Sequence, residues 1–255
     1  MTIRSFAFAA ALSAAASSAH AVDIRFGGFV GDGGTIQQIR SFEQMTGKKL
    51  EIVMRYIAWD QGFPADWTAQ LGNRRATIAW MPWDYTRPAS DTTYSLDKIT
   101  AGAFDGYIRQ WAKDSRAYGR RYYLRFAHEM NGDWYPWGQK PAAYVKAWRH
   151  VHGIFQQEGA TNVVWVWSPN NTPAGNLAQY YPGDAYVDWV GLDGYNWGAS
   201  QTWSSWQSFA QVFGPTYRET ARITAKPLMI AETASTEVGA NKAKWIRNMV
   251  SAIAN

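Results

Sequence analysis

Residues 121–138 read RYYLRFAHEMNGDWYPWG. Arg121 to Ala127 has the aromatic and apolar character of a strand. It runs without a linker into His128-Glu129, then Asn131, then Trp134 and Trp137. A strand that ends in polar and aromatic side chains is the unit from which a site made of βα-loops is built. The unit recurs in both directions along the chain. Before it lie strand-like runs at Ile24 to Val30, Leu50 to Ile57 and Thr77 to Trp83; after it lie Asn162 to Ser168, Val187 to Leu192 and Pro227 to Ala231. Polar or aromatic clusters follow nearly all of them: Trp59-Asp60, Trp83-Asp84, Trp167-Ser168, Asp193 to Asn196 and Glu232-Thr233.

Helical patterns fill the intervals. Thr35 to Thr46 places Ile36, Ile39, Phe42 and Met45 on one stripe, with Gly47 as its stop. Asp66 to Arg75 reads as a short helix and Leu96 to Tyr118 as a long one. Pro141 opens a helix running to Glu158. Trp203 to Thr224 is mostly helical in pattern, and Asn241 to Ile253 is a last helix. Strict β–α alternation implies an α/β fold with a parallel sheet. No GxGxxG or GxxxxGK[ST] follows any strand, which removes support from a nucleotide-binding doubly wound sheet. The reading is a (β/α)8 barrel of the TIM type. Seven strands are counted before the last helix, so the eighth is expected to be lacking within this chain.

Composition narrows the function classes. The chain has 255 residues, 47% hydrophobic and 18% charged, an ordinary globular balance. No apolar run is long enough to span a membrane. The net charge of +5 is scattered over short pairs such as Arg74-Arg75 and Arg120-Arg121, which does not make a nucleic-acid footprint. Cysteine is absent, so disulfides and thiolate metal sites are excluded. Tryptophan is abundant, 15 residues beside 14 tyrosines. That excess points to a groove that stacks flat, apolar-faced ligands, for which sugar rings are the natural match. At the N-terminus, Arg4, the apolar run Phe6 to Ala16 and Ala19-His20-Ala21 form the pattern of a signal peptide. Residues 1–21 are expected to be removed on export, leaving one catalytic domain over 22–255, secreted or periplasmic and monomeric.

Two carboxylates carry the chemistry. Glu129 follows the fourth strand and Glu232 follows Met229-Ile-Ala, the seventh. A carboxylate at the end of a buried strand is costly unless it is paired or functional. Two at opposite sides of one barrel mouth are the minimal equipment for cleaving a glycosidic bond. For Glu129 the bland alternative is an ion pair with Arg125. For Glu232 it is a capping or salt-bridged role, with Glu237 as a competitor in the loop beyond. A zinc motif fails because Gly132 stands where HExxH needs histidine, and no GxSxG elbow exists. No metal and no cofactor is called for. His128 is open to three readings: bonding a sugar hydroxyl, orienting the acid, or standing as a satisfied wall residue. Asn131 lies beside the pair. Trp134, Trp137, Trp167 and Trp197 follow strands and are candidate stacking platforms, whereas Trp80, Trp165 and Trp189 lie within strands and read as core or lining. His150 and His152 read as surface residues. Asp193 either lines the site or holds its loop.

The RFAHEMNGDW stretch, with Ala231-Glu232-Thr233 and Gly194-Tyr195-Asn196, resembles glycoside hydrolase family 26 from Ile24 to the C-terminus. The resemblance implies a retaining enzyme of a (β/α)8 clan, acting on β-1,4-mannan or glucomannan; mixed-linkage β-1,3-1,4-glucanases and β-1,3-xylanases are also members. It implies Glu129 as acid/base, Glu232 as nucleophile and Tyr195 as the hydrogen-bond partner of the nucleophile. A double displacement requires carboxyl groups about 5–5.5 Å apart. The family's Trp-bearing eighth strand is not seen before Asn255. The expectation is therefore either a gene that continues or another segment in that slot, and a catalytically impaired carbohydrate-binding barrel stands as the alternative from a different class.

Overall fold

The computed structural model describes residues 24–31 and 33–254; the signal-peptide reading of residues 1–21 lies outside them. Seven strands form one sheet: β1 (Gly27–Gly28), β2 (Ile52–Ala58), β3 (Arg75–Met81), β4 (Tyr122–Phe126), β5 (Val163–Trp167), β6 (Trp189–Asn196) and β7 (Leu228–Ser235). Every pairing is parallel, and the strands lie in the order of the chain from β1 to β7. That order separates the two candidate architectures. A doubly wound sheet reverses its order at a switch point. A monotonic order with right-handed crossovers puts all helices on one face and curls the sheet. Among the described residues no strand joins β1 to β7, so the sheet is a barrel open at one seam.

Among the described residues seven α-helices cover the outer face: α1 (Ile36–Thr46), α2 (Ala65–Gln70), α3 (Leu96–Thr100), α4 (Asp105–Tyr118), α5 (Pro141–Gln157), α6 (Phe209–Ile223) and α7 (Lys242–Ala254). Their boundaries follow local chemistry. Thr35 caps α1 in a capping box with Gln38, and Gly47 ends it in the left-handed region. Ser208 and Gln211 make the same box for α6. That box moves the start of the helix expected from Trp203 to Phe209, and residues 201–207 are loop. The long helix expected over Leu96 to Tyr118 is two helices. Gly102, at φ +84°, breaks the path between α3 and α4. The strand expected over Ile24 to Val30 shrinks to Gly27–Gly28. There a Cβ on Gly27 would come within 3.1 Å of Ile52 Cβ, so the glycine lets β1 approach β2.

Side-chain alternation divides the core in two. Ile78, Trp80, Leu124, Phe126, Trp165 and Trp167 point outward into the main core beneath the helices. Tyr123, Val164 and Val166 point inward and meet Ile52, Trp189 and Met229 inside the barrel. The outer core absorbs much of the tryptophan. Trp80 stacks on Trp111 at 4.5 Å, and Trp59 touches Trp80, Tyr107 and Phe126. Nine tryptophans are buried: 59, 67, 80, 111, 137, 148, 165, 167 and 245. The abundance of indole is therefore mainly a packing feature. Only Trp134, Trp197 and Trp203 are exposed among the described tryptophans.

Candidate active site

The inner face of β4 sets the geometry. Tyr123 points into the barrel, so Arg125 does too, and it is wholly buried. A buried guanidinium needs partners on every side. Arg125 Nε donates to Ser168 Oγ at 2.9 Å, just past β5. Its Nη2 donates to Asp193 on β6, and its Nη1 donates to Glu232 Oε1 on β7 at 2.6 Å. One side chain thus spans three further strands. Its partners are Asp193 and Glu232, not Glu129, which removes the ion-pair alternative for Glu129. Asp193 is buried and bound to Arg125.

Beyond β4 the backbone turns sharply. Ala127 (φ 45°) and Glu129 (φ 54°) both adopt the left-handed region, which costs non-glycine residues about 1–3 kcal/mol each. Glu129 is held there by its N–H, which donates to the Ser168 carbonyl at 2.7 Å. Its carboxylate accepts from Asn170 Nδ2 and, at 2.7 Å, from Trp134 Nε1. Trp134 packs against Gly132, where any Cβ would come within 2.4 Å of the ring. Asn131 is the splint behind this arrangement. Its Oδ1 accepts from the Asn170 N–H, and its Nδ2 donates to the carbonyls of Asn170 and Pro173.

Glu232 reaches the interior through a β-bulge. Met229 pairs with Gly191 and faces inward, so strict alternation would send Glu232 out toward the helices. The register shifts at Leu192/Asp193: Ile230 pairs with Leu192, Glu232 pairs with Asp193, and Ala231 is the extra residue. Ala231 then crowds Gly191, where a Cβ would sit 2.9 Å from Ala231 Cβ and 2.6 Å from Ser168 Oγ. Turned inward, Glu232 Oε2 accepts from the Tyr195 hydroxyl at 2.5 Å. One carboxylate oxygen each of Glu129, Asp193 and Glu232 lie within 4.8 Å of one another. Among the described residues these three form the cluster able to hold a cation, and Arg125 already supplies a positive charge beside Asp193 and Glu232.

The two glutamates are pushed apart in acidity. Burial raises Glu129, the charge of Glu232 raises it further, and the bonds from Asn170 and Trp134 oppose both incompletely. Burial is the largest influence and acts to raise Glu232, but the charges of Arg125 and, once protonated at low pH, of His128, with the bonds from Tyr195 and Arg125, together outweigh it, and Glu232 is held at about 2. His128 adds no charge at neutral pH. Burial, then Arg125, push its imidazole down to about 3. One carboxyl is thus poised as an acid and the other as an anion, at one barrel mouth.

Of the other expected site residues, His128 is buried, with Nε2 3.2 Å from the Tyr135 hydroxyl and 3.9 Å from Glu232 Oε1. Trp134, bonded to Glu129, and Trp197, 5.4 Å from Tyr195, are exposed, at 39% and 41%. Trp137 and Trp167 are not available to a ligand, and both expectations are corrected. Trp137, 1% exposed, donates Nε1 to the His128 carbonyl and stacks under Tyr135 at 4.5 Å. Trp167, 0% exposed, shares the outward parity of Trp165 and packs edge-on against Tyr181. His150 and His152 are not free surface residues. His150 Nε2 bonds Asp105 at 2.7 Å, and His152 lies between Trp165 and Tyr186. Sequence reasoning missed Asn170 and the full reach of Arg125. The signal for Arg125 was present, since a cation in mid-strand between tyrosine and phenylalanine demands buried counter-charges.

The sequence profile of glycosyl hydrolase family 26 matches residues 97–253. The chain belongs to this family. Among relatives of family 26, Endoglucanase H of Acetivibrio thermocellus is 42% identical over 246 residues, 90% of this chain and 26% of that protein. A mannan endo-1,4-beta-mannosidase A and B of Caldalkalibacillus mannanilyticus is 39% identical over 83 residues, 29% of this chain and 16% of its own length. The chain therefore spans a minor part of both. The family 26 domain of an endo-beta-mannanase/endo-beta-glucanase from Prevotella bryantii superposes with a TM-score of 0.66 at 17% identity, covering 88% of this chain and 81% of that one. At that identity the likeness speaks for the fold, a (β/α)8 barrel short of one strand.

Proposed function

We propose that the chain is a retaining endo-β-glycosidase that hydrolyses β-1,4-mannan or glucomannan. The observation that carries the reading is the carboxylate pair with opposed acidities, oxygen to oxygen within 4.8 Å. Inverting enzymes separate their carboxyls by about 6.5–9.5 Å to admit a water between them. Glu232, anionic and aimed by Tyr195 and Arg125, attacks the anomeric carbon. The glycosidic C–O bond breaks as Glu129 gives its proton to the leaving oxygen. Forming the glycosyl-enzyme ester removes the Glu232 charge that raised Glu129, so Glu129, already deprotonated by the first step, stays a carboxylate and takes a proton from the incoming water. That water then releases the sugar and regenerates Glu232. The substrate-binding residues of this reading are His128, Asn131, Trp134, Tyr195 and Trp197; no cofactor enters it.

One observation favours a second substrate, mixed-linkage β-1,3-1,4-glucan: the 42% identity over 90% of the chain is to a protein named an endoglucanase. Export after cleavage near Ala21, a catalytic domain from residue 22 onward and a monomeric state complete the proposal. The reading is tested by reducing-sugar release from β-mannan, glucomannan and mixed-linkage glucan. Glu129→Ala and Glu232→Ala should each remove nearly all of it while the fold stays intact, and azide should restore part of the Glu232→Ala activity as a β-glycosyl azide. Near-normal turnover by Glu232→Ala would remove the nucleophile assignment. Retardation by a glycan without hydrolysis would mean a binding barrel instead.

A further inference from the structure

Trp203 is 70% exposed, more than any other described tryptophan. It is not a lone exposed ring: Trp197, 41% exposed, lies 6.0 Å away, and contiguous exposed apolar surface marks a binding site. The loop is not slack. At its base Asn196 is buried; its Nδ2 donates to Ser235 Oγ and its Oδ1 accepts from the Gln207 N–H at 3.0 Å. Gly198, at φ +52°, sits where a Cβ would meet Val238 O at 2.7 Å and Trp206 Cε3 at 3.2 Å. The Ser200 hydroxyl donates to the Trp197 carbonyl at 2.5 Å, and the Ser204 N–H donates to the Gln201 carbonyl at 3.1 Å. Both ends of residues 197–207 are thus fixed, and Trp203 stands at the far side.

Its position relative to the glutamates is the second observation. The Tyr195 hydroxyl bonds Glu232 at 2.5 Å; the Tyr195 ring lies 5.4 Å from Trp197, and Trp197 lies 6.0 Å from Trp203. Three rings therefore lead in consecutive steps from the anionic carboxylate toward solvent. Two of the three exposed tryptophans are in that row. The rings are turned against one another, by 39° and then 64°. A rigid planar ligand would not touch all three, but a glycan chain can, because its linkages let each unit rotate.

We propose that Trp203 is a distal sugar-stacking platform of the same groove, which makes affinity depend on the length of a β-linked glycan. The proposal rests on the glycosidase reading for the nature of the ligand. A sugar held on Trp203 is too far from Glu129 and Glu232 to feel the bond changes. Its contribution is therefore uniform binding, which appears in KM and not in kcat.

The test compares wild type, Trp203→Ala and Trp203→Phe on manno-oligosaccharides and mixed-linkage gluco-oligosaccharides of increasing length, with Met45→Ala as a control for loss of an exposed apolar group elsewhere. For Trp203→Ala, kcat/KM should fall about tenfold on the longest oligosaccharides, the size of one aromatic contact. The fall should lie in KM, shrink as the substrate shortens, and be largely restored by Trp203→Phe. A loss equal at every length, or one in kcat, overturns the proposal. Electrophoresis through gels containing each soluble polysaccharide reads binding without hydrolysis. If wild type is retarded and Trp203→Ala equally so, the platform is refuted while the glycosidase reading stands. If wild type is retarded and Trp203→Ala runs free, yet nothing is hydrolysed, the platform stands and the catalytic reading fails. Wild type that is neither retarded nor active on any of these glycans refutes both.

Discussion

In the proposed mechanism Glu129 must carry a proton to act, and its neighbours decide at what pH it loses it. Because its pKa is raised, activity falls as pH rises through a value above the ordinary glutamic acid of about 4.3. The Asn170 bond favours the ionised form, so it works against the other two influences. Replacing Asn170 by Ala should therefore raise Glu129 further and move the basic limb of kcat/KM to higher pH; a limb that moves down would show the sign to be wrong. Arg125 sets the opposite limb. Without it Glu232 and Asp193 are buried carboxylates with no guanidinium between them, and burial raises both, for Glu232 against the bond from Tyr195. Arg125→Met should cost about 3–5 kcal/mol of stability in urea denaturation at neutral pH, and it should lift the acidic limb from near 2. An unchanged midpoint in urea would mean that the ion pairs do not compensate the carboxylates.

At the scale of the element, the decisive feature is the bulge in β7. The sequence places a carboxylate at the end of that strand, and this much is legible, because Met229-Ile-Ala is apolar and Glu232 breaks it. Which way Glu232 points is not legible. Alternation from Met229 predicts the helix side, and only the register shift against β6 turns it inward. Trp167 errs in the other direction. Its parity with Trp165 was readable from the strand and assigns it to the outer core, so position after a strand is a weaker guide than alternation along it. The helix over residues 96–118 shows a third case, since an apolar stripe can continue across a break that one glycine makes. Gly191 is the partner on which the bulge depends. Gly191→Val would drive side-chain atoms into Ser168, Val166 and Ala231, all within 2.9 Å of a bare Cβ. Overpacking of this kind costs about 1–3 kcal/mol. Activity should fall more than stability, because the strand bearing Glu232 is what must move. Full activity in Gly191→Val would show that the bulge tolerates a side chain there.

For the whole molecule, the alternation of elements fixed the class, and the count of seven strands anticipated the open seam. The barrel rather than the doubly wound sheet follows from strand order, which no local pattern encodes. It comes from where each crossover lands, and the handedness of those crossovers supplies the rule. The open seam leaves the outer edges of β1 and β7 without a strand neighbour among the described residues. β1 is reduced to two glycines, and β7 is only partly buried along most of its length, so Leu228, Met229 and Ile230 remain partly exposed along that strand. Phe26 and Phe29, 40% and 44% exposed, flank the short strand. The site reaches this boundary, since Glu232 stands on β7 itself, while Glu129 follows the middle strand β4 and Arg125 links β4 to β7.

Arg125 also imposes an order in time. A ribosome makes it 107 residues before Glu232, so the charge at the centre of the barrel is synthesised long before either of its counter-charges. Until β6 and β7 dock, the inner face of β4 must stay hydrated, because an unpaired guanidinium cannot be sealed from water. The outer core has no such wait. Trp80 and Trp111 stack across a short stretch of chain, and local contacts form early. The closing of the ion triad, which in the proposed mechanism aims Glu232, is therefore expected to be the last event of folding. In refolding from urea, tryptophan fluorescence should recover ahead of catalysis. Coincident recovery of the two signals would place the triad's closure together with the collapse of the outer core.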